Sequence, residues 1–351
     1  MNLAFYEGKS VFVTGYSGFK GAWLCYLLKR AGAMITGYAL DPKSGSVFEG
    51  ADISYGISSK VGDIRDFDAL NEAFQRAEPE IVFHLAAQPL VLESYSRPSY
   101  TFETNVMGTV NLLECVRKCK TVHSIIIVTT DKVYKNNEWV YGYREIDALG
   151  GSDPYAASKS CSEIITESYR ASFLQDVPLS TARAGNVIGG GDVSTDRIIP
   201  DCIRAAKKGE PIIVRNPYSI RPYQHVLEPL YAYLLIAQRQ SENPELAGSY
   251  NIGPTEADCI TTGELADVFC REWGGDQSWV NACERTDSPR ESNLLRLDSS
   301  KMRSTFNWRS VWNVREAIAK TVEWEKTQCN CGNVCAIMEK QVGEYLSRWR
   351  W

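Results

Sequence analysis

Short runs of apolar and β-branched residues alternate, over the first half of the chain, with stretches whose apolar positions recur at helical spacing. Runs of this length are typical of buried strands, and apolar residues three and four apart are typical of a helix with one buried face. The pattern predicts strands at residues 10–14, 33–40, 80–87, 124–130 and 179–184 and one that ends at 60–64. It predicts helices at residues 22–31, 66–77, 102–119 and 154–173.

Strands separated by helices indicate an α/β fold, and we expect a Rossmann-like, doubly wound parallel sheet with right-handed crossovers. Ligands bind such sheets at the carboxyl ends of the strands. Small or polar residues that could contact a ligand follow these ends: Asp63, Ala86-Ala87, Thr130-Asp131-Lys132 and Gly185-Asn186. The loop that leads into the next helix brings Tyr155 to the same edge of the sheet.

The pattern loosens after residue 184. Helices are predicted at 198–207, 226–238, 262–273 and 314–325, and a short strand at 211–214. We interpret this part as a smaller C-terminal α/β domain that caps the substrate. The predicted division is a Rossmann domain at 1–184, to which 226–240 returns, and a substrate-binding domain at 185–351.

A glycine-rich turn lies between the first predicted strand and the helix that follows it. Gly15, Gly18 and Gly21 are spaced G-x-x-G-x-x-G. Glycines let the backbone approach a pyrophosphate closely, and the helix N-terminus then faces the phosphates. A glycine motif alone is weak evidence, but its position between a strand and a helix favours dinucleotide binding.

Tyr155 and Lys159 are placed one helical turn apart by the helix predicted at 154–173. Pro154 suits the first turn of a helix and Asp153 suits its N-cap. A neighbouring ammonium favours the tyrosinate, so we expect a lowered pKa for Tyr155 and a role as a general base toward a sugar hydroxyl. A surface tyrosine with a solvated lysine is the other interpretation of this spacing.

Composition limits the possible functions. The chain has 351 residues, of which 44% are hydrophobic and 23% charged, and its net charge of −5 comes from interspersed signs. These values fit one large or two smaller globular domains. They show no excess of basic residues of the kind that nucleic-acid binding requires. No apolar run reaches the roughly 18 residues of a membrane span, and residues 1–7 do not resemble a signal peptide.

Eleven cysteines are scattered through the chain, an odd number that favours reduced thiols and a cytoplasmic location over a disulfide framework. Cys329, Cys331 and Cys335 form a cluster that lacks a clear fourth ligand and a C-x-x-C pair. We expect a loop between two C-terminal helices here and no metal site.

Several motifs together resemble the extended short-chain dehydrogenases/reductases, the NAD-dependent epimerase/dehydratase family that acts on nucleotide sugars. They are Thr14–Gly21, His84–Gln88, Thr104–Thr109 and the Tyr155/Lys159 pair. Within that family the chain most resembles the CDP-glucose 4,6-dehydratases, through Gly18–Gly21, Thr129–Tyr134, Gly142–Glu145, Leu149–Tyr155, Ala182–Asp192 and Arg221–Val226.

The resemblance implies a bound NAD that is reduced and reoxidised within one turnover. Tyr155 would take the proton of the 4-hydroxyl while hydride leaves carbon 4, and Thr130 would hydrogen-bond the oxygen there. Water would then leave across carbons 5 and 6, with Asp131 as the acid and Lys132 as the base, before hydride returns to carbon 6. An acid role requires that burial raise the pKa of Asp131.

Lys132 separates this chain from the dTDP-glucose dehydratases, which resemble it but have glutamate at that position. A lysine acts as a base only if its pKa is depressed. A lysine that pairs with a phosphate or carboxylate therefore remains an alternative for Lys132.

The resemblance also implies the residues that bind the ligands. Those for NAD are Gly15, Gly18, Phe19, Lys20, Gly21, Asp63, Ile64, Leu85, Ala86, Ala87, Tyr155 and Lys159. Those for the nucleotide sugar are Gln88, Asn186, Arg197, Arg221 and His225. Two departures from the family pattern concern cofactor and substrate choice: the second strand lacks an acid at the usual ribose position, with Asp41 further along, and Arg290 stands where close relatives have histidine.

Other functions stay open at this point. The chain could act on another nucleotide sugar as a dehydratase or epimerase, or it could be a non-catalytic NAD(P) sensor. The complete set of Thr130, Asp131, Lys132, Tyr155 and Lys159 argues against the sensor. The resemblance further implies a homodimer or higher homo-oligomer built on helices 102–119 and 154–173, and a place in deoxysugar synthesis for surface polysaccharide such as O-antigen.

Overall fold

The computed structural model describes residues 3–282 and 293–349. Its strands are β1 (Ser10–Thr14), β2 (Met34–Ala39), β3 (Ser58–Val61), β4 (Ile81–His84), β5 (Ser124–Thr130), β6 (Leu179–Ala184), β7 (Val187–Ile188), β8 (Ile212–Val214), β9 (Ile220–Pro222), β10 (Gln224–His225), β11 (Ser249–Ile252), β12 (Cys259–Thr261) and β13 (Trp279–Asn281).

The helices alternate with these strands in the first half of the chain and dominate its last part. They are α1 (Phe19–Arg30), α2 (Val47–Gly50), α3 (Phe67–Ala77), α4 (Val91–Ser96), α5 (Pro98–Phe102), α6 (Gly108–Arg117), α7 (Pro154–Ser172), α8 (Ile198–Lys208), α9 (Leu227–Glu242), α10 (Thr262–Trp273), α11 (Ser300–Phe306), α12 (Val314–Cys329) and α13 (Val334–Arg348). None of them is both long and apolar enough to cross a membrane, as far as the described residues go.

The main sheet has seven strands in the order β11-β6-β5-β4-β1-β2-β3, and every neighbouring pair is parallel. The chain moves outward from β1 to β3 and then returns to β4 on the other side of β1. This reversal places a crevice at the carboxyl ends of β1 and β4, where Thr14 pairs with His84. The predicted doubly wound fold is confirmed.

Strands β1, β5 and β6 have the predicted bounds, but the sheet has one strand more than predicted. The seventh, β11, comes from residues 249–252 and pairs with β6, beyond the predicted boundary at 184. Helix α9 also lies on this sheet, against β5 and β6, with nearly all its side chains buried. A strand of four residues next to loops carries too little periodicity to be recognised without its neighbour.

The helix predicted at 102–119 is present, but it is not a regular α-helix throughout. A π-helical turn at Glu103–Met107 lies between α5 and α6. The turn holds Asn105 inward, where its amide accepts from the Gln88 N–H at 2.8 Å and donates to the Gln88 carbonyl at 3.0 Å and to Ser158 Oγ at 2.9 Å. This buried polar side chain joins the helix to the end of β4 and to α7.

The remaining strands form three two-stranded sheets, β10 with β7, β12 with β9 and β13 with β8. A separate core of apolar side chains from β8, α8, α10 and α12 supports them. Helices α12 and α13 then return to α1, α2 and α9, where they join the largest core of the protein. Cys329 ends α12 and Cys335 lies in α13, so the cysteine cluster is the loop between two helices that was expected.

Candidate active site

The glycine turn after β1 is packed tightly against the end of β4. Gly15 has φ +70°, and a Cβ there would lie 2.7 Å from the Ala86 nitrogen. A Cβ on Gly21 would lie 2.1 Å from the Gly15 carbonyl oxygen. Both positions therefore require glycine. Gly18 is the N-cap of α1 and supplies no side-chain cap, so the first N–H groups of this helix suit an anionic ligand.

A cleft of about 1110 Å³ opens at the carboxyl ends of the strands. Its wall combines side chains from the glycine turn, the ends of β4, β5 and β6, the start of α7, and the segments around α8 and β9. Most of the predicted site residues meet here: Phe19, Lys20, Leu85, Ala87, Thr130, Asp131, Lys132, Tyr155, Lys159, Asn186, Arg197 and Arg221.

Tyr155 and Lys159 lie on α7 as predicted. Asp153 caps the helix by accepting from the Ala156 N–H at 2.8 Å. The Lys159 ammonium is buried and donates to the Val128 carbonyl of β5 at 3.0 Å. That bond holds the start of α7 against the end of β5, so both side chains face the cleft.

The expected lowering of the Tyr155 pKa is wrong for the protein by itself. Burial raises the pKa of Tyr155 to about 12 and outweighs the opposing hydrogen bond from Thr130 and the charge of Arg197. Burial also lowers the pKa of Lys159 to about 8, against the charge of Glu163. Withdrawal from water therefore decides both proton affinities.

Asp131 lies at the end of β5 and is 2% exposed. Its Oδ1 accepts from the Thr130 hydroxyl at 2.9 Å, whereas its Oδ2 has no partner among the described residues. Burial raises the pKa of this carboxyl, against the charges of Lys132 and Arg221 and the Thr130 hydrogen bond. A raised pKa is the condition that an acid role requires, and the protonated carboxyl can donate into the cleft.

A buried ion pair behind these residues was not predicted. Glu163 accepts from Thr129 Oγ1 at 2.5 Å, from Thr181 Oγ1 at 2.7 Å and from Arg183 Nη2 at 2.8 Å. The Glu163 and Arg183 side chains are 2% and 4% exposed. Glu163 follows Lys159 by four residues, and this helical spacing was the one sequence signal that could have revealed it.

Arg197 is held by a second acid that the sequence analysis did not single out. Its Nη1 donates to Asp192 Oδ2 at 3.0 Å, and the Asp192 side chain is 4% exposed. Lys20 lies on the same wall, where burial and the nearby charges of Lys159 and Arg197 lower its pKa to about 7. The wall therefore combines basic side chains with two buried acids, Asp131 and Asp192.

Two predicted substrate residues do not reach the cleft wall. Gln88 is 3% exposed, and its amide bonds the Leu90 backbone and Thr101 Oγ1. His225 is fully buried between the rings of Trp23 and Trp312, and burial lowers its pKa to about 3. Both side chains pack the interior, and neither lies on the cleft wall.

The remaining predicted cofactor residues support the cleft from its edges. Gly15, Gly18, Gly21 and Ala86 form the turn described above, whereas the Asp63 carboxylate is paired with Arg65 at 2.8 Å. Ile64 packs under α6, where a Cβ on Gly108 would meet it at 2.8 Å. Residues 287–292, with Arg290, lie outside the described residues.

Comparison with known proteins agrees with this geometry. The sequence model of the GDP-mannose 4,6 dehydratase family matches residues 12–321. The chain is 43% identical to CDP-glucose 4,6-dehydratase from Salmonella typhimurium over 98% of both chains.

Two solved structures share the fold. An epimerase from Methanothermobacter thermautotrophicus superposes with a TM-score of 0.81 at 22% identity, over 94% of this chain and 95% of the other. The dTDP-glucose 4,6-dehydratase from Bacillus anthracis, solved in complex with NAD, superposes with a TM-score of 0.76 at 21% identity, over 92% and 98%. With a family model that spans most of its length and a full-length relative this similar, the chain belongs to the GDP-mannose 4,6 dehydratase family of nucleotide-sugar enzymes.

Proposed function

We propose that this protein is an NAD-dependent CDP-glucose 4,6-dehydratase, which converts CDP-glucose to CDP-4-dehydro-6-deoxyglucose. The observation that carries the proposal is the meeting of Asp131, Lys132 and Tyr155 on one cleft wall beside the glycine turn. An epimerase needs no acid and base for water elimination, so this pair favours dehydration. The 43% identity to the Salmonella enzyme supports the choice of nucleotide.

The chain's own residues would divide the proton transfers among them. Bound NAD supplies an acceptor, and later a donor, of hydride. Tyr155 takes the proton of the 4-hydroxyl, and Thr130 hydrogen-bonds the oxygen at carbon 4. Asp131 protonates the departing 6-hydroxyl, which leaves as water. Neutral Lys132 takes the proton from carbon 5 and would return it to carbon 5 when carbon 6 receives hydride. Protonated Asp131 is suited to this step because burial raises its pKa.

The cofactor would occupy the side of the cleft next to α1. We assign the pyrophosphate to the turn from Gly15 to Gly21 and the nicotinamide half to Leu85, Ala86 and Ala87 with Tyr155 and Lys159. Asp63 and Ile64 would meet the adenine end. The uncapped α1 N-terminus and the close approach of Gly15 to Ala86 support this assignment.

The sugar nucleotide would occupy the other side, with its diphosphate on Asn186, Arg197 and Arg221. Arginine forks suit phosphate oxygens. Arg197 would exchange part of its contact with Asp192 for the phosphate. The corresponding domain division is an NAD-binding part at 1–184 with 226–240, and a substrate-binding part in the rest of 185–351.

We also propose that the protein works in the cytoplasm as a homo-oligomer, in deoxysugar synthesis for surface polysaccharide such as O-antigen. The ten cysteines within the described residues are all free thiols, which suits a reducing compartment. Large apolar side chains are exposed on neighbouring helices at Phe102, Met107 and Ile164, which suits a helical interface.

Turnover of three substrates tests the function. The purified protein is incubated with CDP-glucose, dTDP-glucose and GDP-mannose, and the 4-keto-6-deoxy product is detected by its near-ultraviolet absorbance in alkali. We expect product from CDP-glucose alone or by a wide margin. Product from dTDP-glucose without product from CDP-glucose would overturn the substrate, and no product from any of the three would favour an NAD(P) sensor.

A further inference from the structure

Strand β8 and the residue that follows it present two side chains to the cleft and two to the interior. Ile212 and Val214 are fully buried in the core between α8 and α10. Ile213 and Arg215 alternate with them, as strand geometry requires, and both lie on the cleft wall. Ile213 is 56% exposed although it is apolar. At this point the cleft wall therefore presents the apolar side chain of Ile213 beside the planar guanidinium of Arg215.

Two carboxylates hold the Arg215 guanidinium in place. Its Nη1 donates to Asp196 Oδ1 at 3.2 Å, and its Nη2 lies 3.8 Å from Asp201 Oδ2. The other oxygen of Asp201 is taken by Arg204, which is not on the cleft wall. Asp196 and Asp201 are on the wall with Arg215, so a ligand meets hydrogen-bond donors and acceptors side by side.

We infer that Ile213 and Arg215 hold the pyrimidine ring of the substrate, and that Arg215 together with Asp201 selects cytosine over uracil and thymine. This inference rests on the proposed function in so far as the substrate is a nucleotide sugar. Arg197 directly follows Asp196 in the chain, so a base at Arg215 lies next to the arginine assigned to the diphosphate.

The selectivity follows from the order of donors and acceptors on the base. Cytosine offers acceptors at O2 and N3 and a donor at its exocyclic amine. A guanidinium only donates and a carboxylate only accepts, so Arg215 matches O2 and N3 while Asp201 matches the amine. Uracil and thymine carry N–H at position 3 and oxygen at position 4. In the same pose their N3–H would face the N–H groups of Arg215, and their O4 would face the Asp201 carboxylate, so both contacts would be repulsive.

Binding of nucleoside diphosphates tests this without turnover. CDP and UDP are titrated calorimetrically into the full-length protein and into Arg215→Gln, Arg215→Lys and Asp201→Asn. We expect the unchanged protein to prefer CDP, and Arg215→Gln to lose about 10- to 100-fold in CDP affinity with little change for UDP. Arg215→Lys keeps the charge but loses the planar fork, so its preference for CDP falls too. Asp201→Asn replaces an acceptor by a donor and should raise UDP affinity.

Arg204→Gln is the matched control, because it removes an arginine from the same Asp201 carboxylate away from the cleft wall. Its CDP-to-UDP ratio should equal that of the unchanged protein. If Arg215→Gln lowers the affinities for CDP and UDP equally, so that their ratio is unchanged, Arg215 is a phosphate contact and the inference is overturned. The inference is also overturned if Arg204→Gln changes the ratio as much as Arg215→Gln does. If Arg215→Gln abolishes the preference for CDP over UDP but the unchanged protein does not convert CDP-glucose, the inference is supported and the proposed function is not.

Discussion

At the scale of single residues, burial sets the proton affinities on the cleft wall. Tyr155 and Asp131 both hold their protons more tightly than in water, whereas Lys159 and Lys20 hold theirs less tightly. Each group is thereby shifted toward its neutral form. A neutral acid suits the departure of a hydroxyl, but Tyr155 must receive help before it can act as a base near neutral pH. A bound nicotinamide cation is the positive charge that the proposed function would add.

Replacing Tyr155 by phenylalanine should reduce turnover of CDP-glucose by about 10²- to 10⁴-fold, because the 4-hydroxyl loses its proton acceptor. The ring itself keeps its packing at the start of α7. Product formation and the amount of bound NAD are measured on the same preparation, and the NAD content should stay unchanged. Activity near that of the unchanged protein would remove Tyr155 from the role of base.

Asp131→Asn should slow elimination and change its pH dependence. Asp131 donates only while protonated, so the rate should fall as the pH rises through its raised pKa, and the asparagine variant should lack that limb. The same carboxyl stabilises the fold below its ordinary pKa and loses that contribution as the pH rises through the raised value. Product formation is followed from mildly acidic to alkaline pH, and an unchanged falling limb in the variant would assign it to another group.

At the scale of elements, a few polar contacts hold together the strand ends and the helix that form the cleft. Glu163 on α7 bonds Thr129 on β5 and both Thr181 and Arg183 on β6. Asn105 in the π-helical turn bonds the end of β4 and Ser158 on α7. The segments that carry Thr130, Asp131 and Tyr155 are therefore tied to one another by buried hydrogen bonds. Such support is what keeps a cleft geometry stable.

Glu163→Gln should lower the free energy of unfolding by about 3–5 kcal/mol, because it leaves the buried Arg183 charge without its carboxylate. The measurement is chemical denaturation followed by circular dichroism. Glu167→Gln is the control on the same helix: Glu167 pairs with Arg170 but is 61% exposed, and its loss should cost no more than about 1 kcal/mol. Similar values for the two variants would mean that the buried pair adds nothing beyond an exposed one.

At the scale of the whole molecule, one face of the helices around α7 is unusually apolar for a surface. Phe102, Met107 and Ile164 are 38%, 49% and 58% exposed and come from helices that contact one another. The family resemblance implies an oligomer interface on these helices. Helix α7 contributes to both features, with Tyr155 and Lys159 on the cleft wall and Ile164 exposed at the surface.

Ile164→Glu should shift the protein from oligomer to monomer, because an isolated charge in an apolar interface is unfavourable. Sedimentation velocity measures the change. Ile146→Glu is the control, since Ile146 is 83% exposed and lies outside these helices. An Ile164→Glu protein that sediments like the unchanged one, or a monomer that forms equally in the control, would contradict an interface on α7.

Local sequence determined much of this protein. Runs of β-branched residues gave the bounds of β1, β5 and β6, and a capping side chain gave the start of α7. Glycine spacing and helical spacing gave the positions of Gly15, Gly21, Tyr155 and Lys159. These features depend on residues within one or two turns of each other. Motif resemblance then identified the family, and most of the site residues that it predicted lie on the cleft wall.

Only the tertiary structure decided what those residues contact. It placed β11 beside β6, enclosed His225 between Trp23 and Trp312, and raised the pKa of Tyr155 instead of lowering it. It also brought Arg215 and Asp201 together on the wall of the cleft. Each of these outcomes depends on how much water and charge surrounds a side chain, and those surroundings come from segments far apart in the sequence.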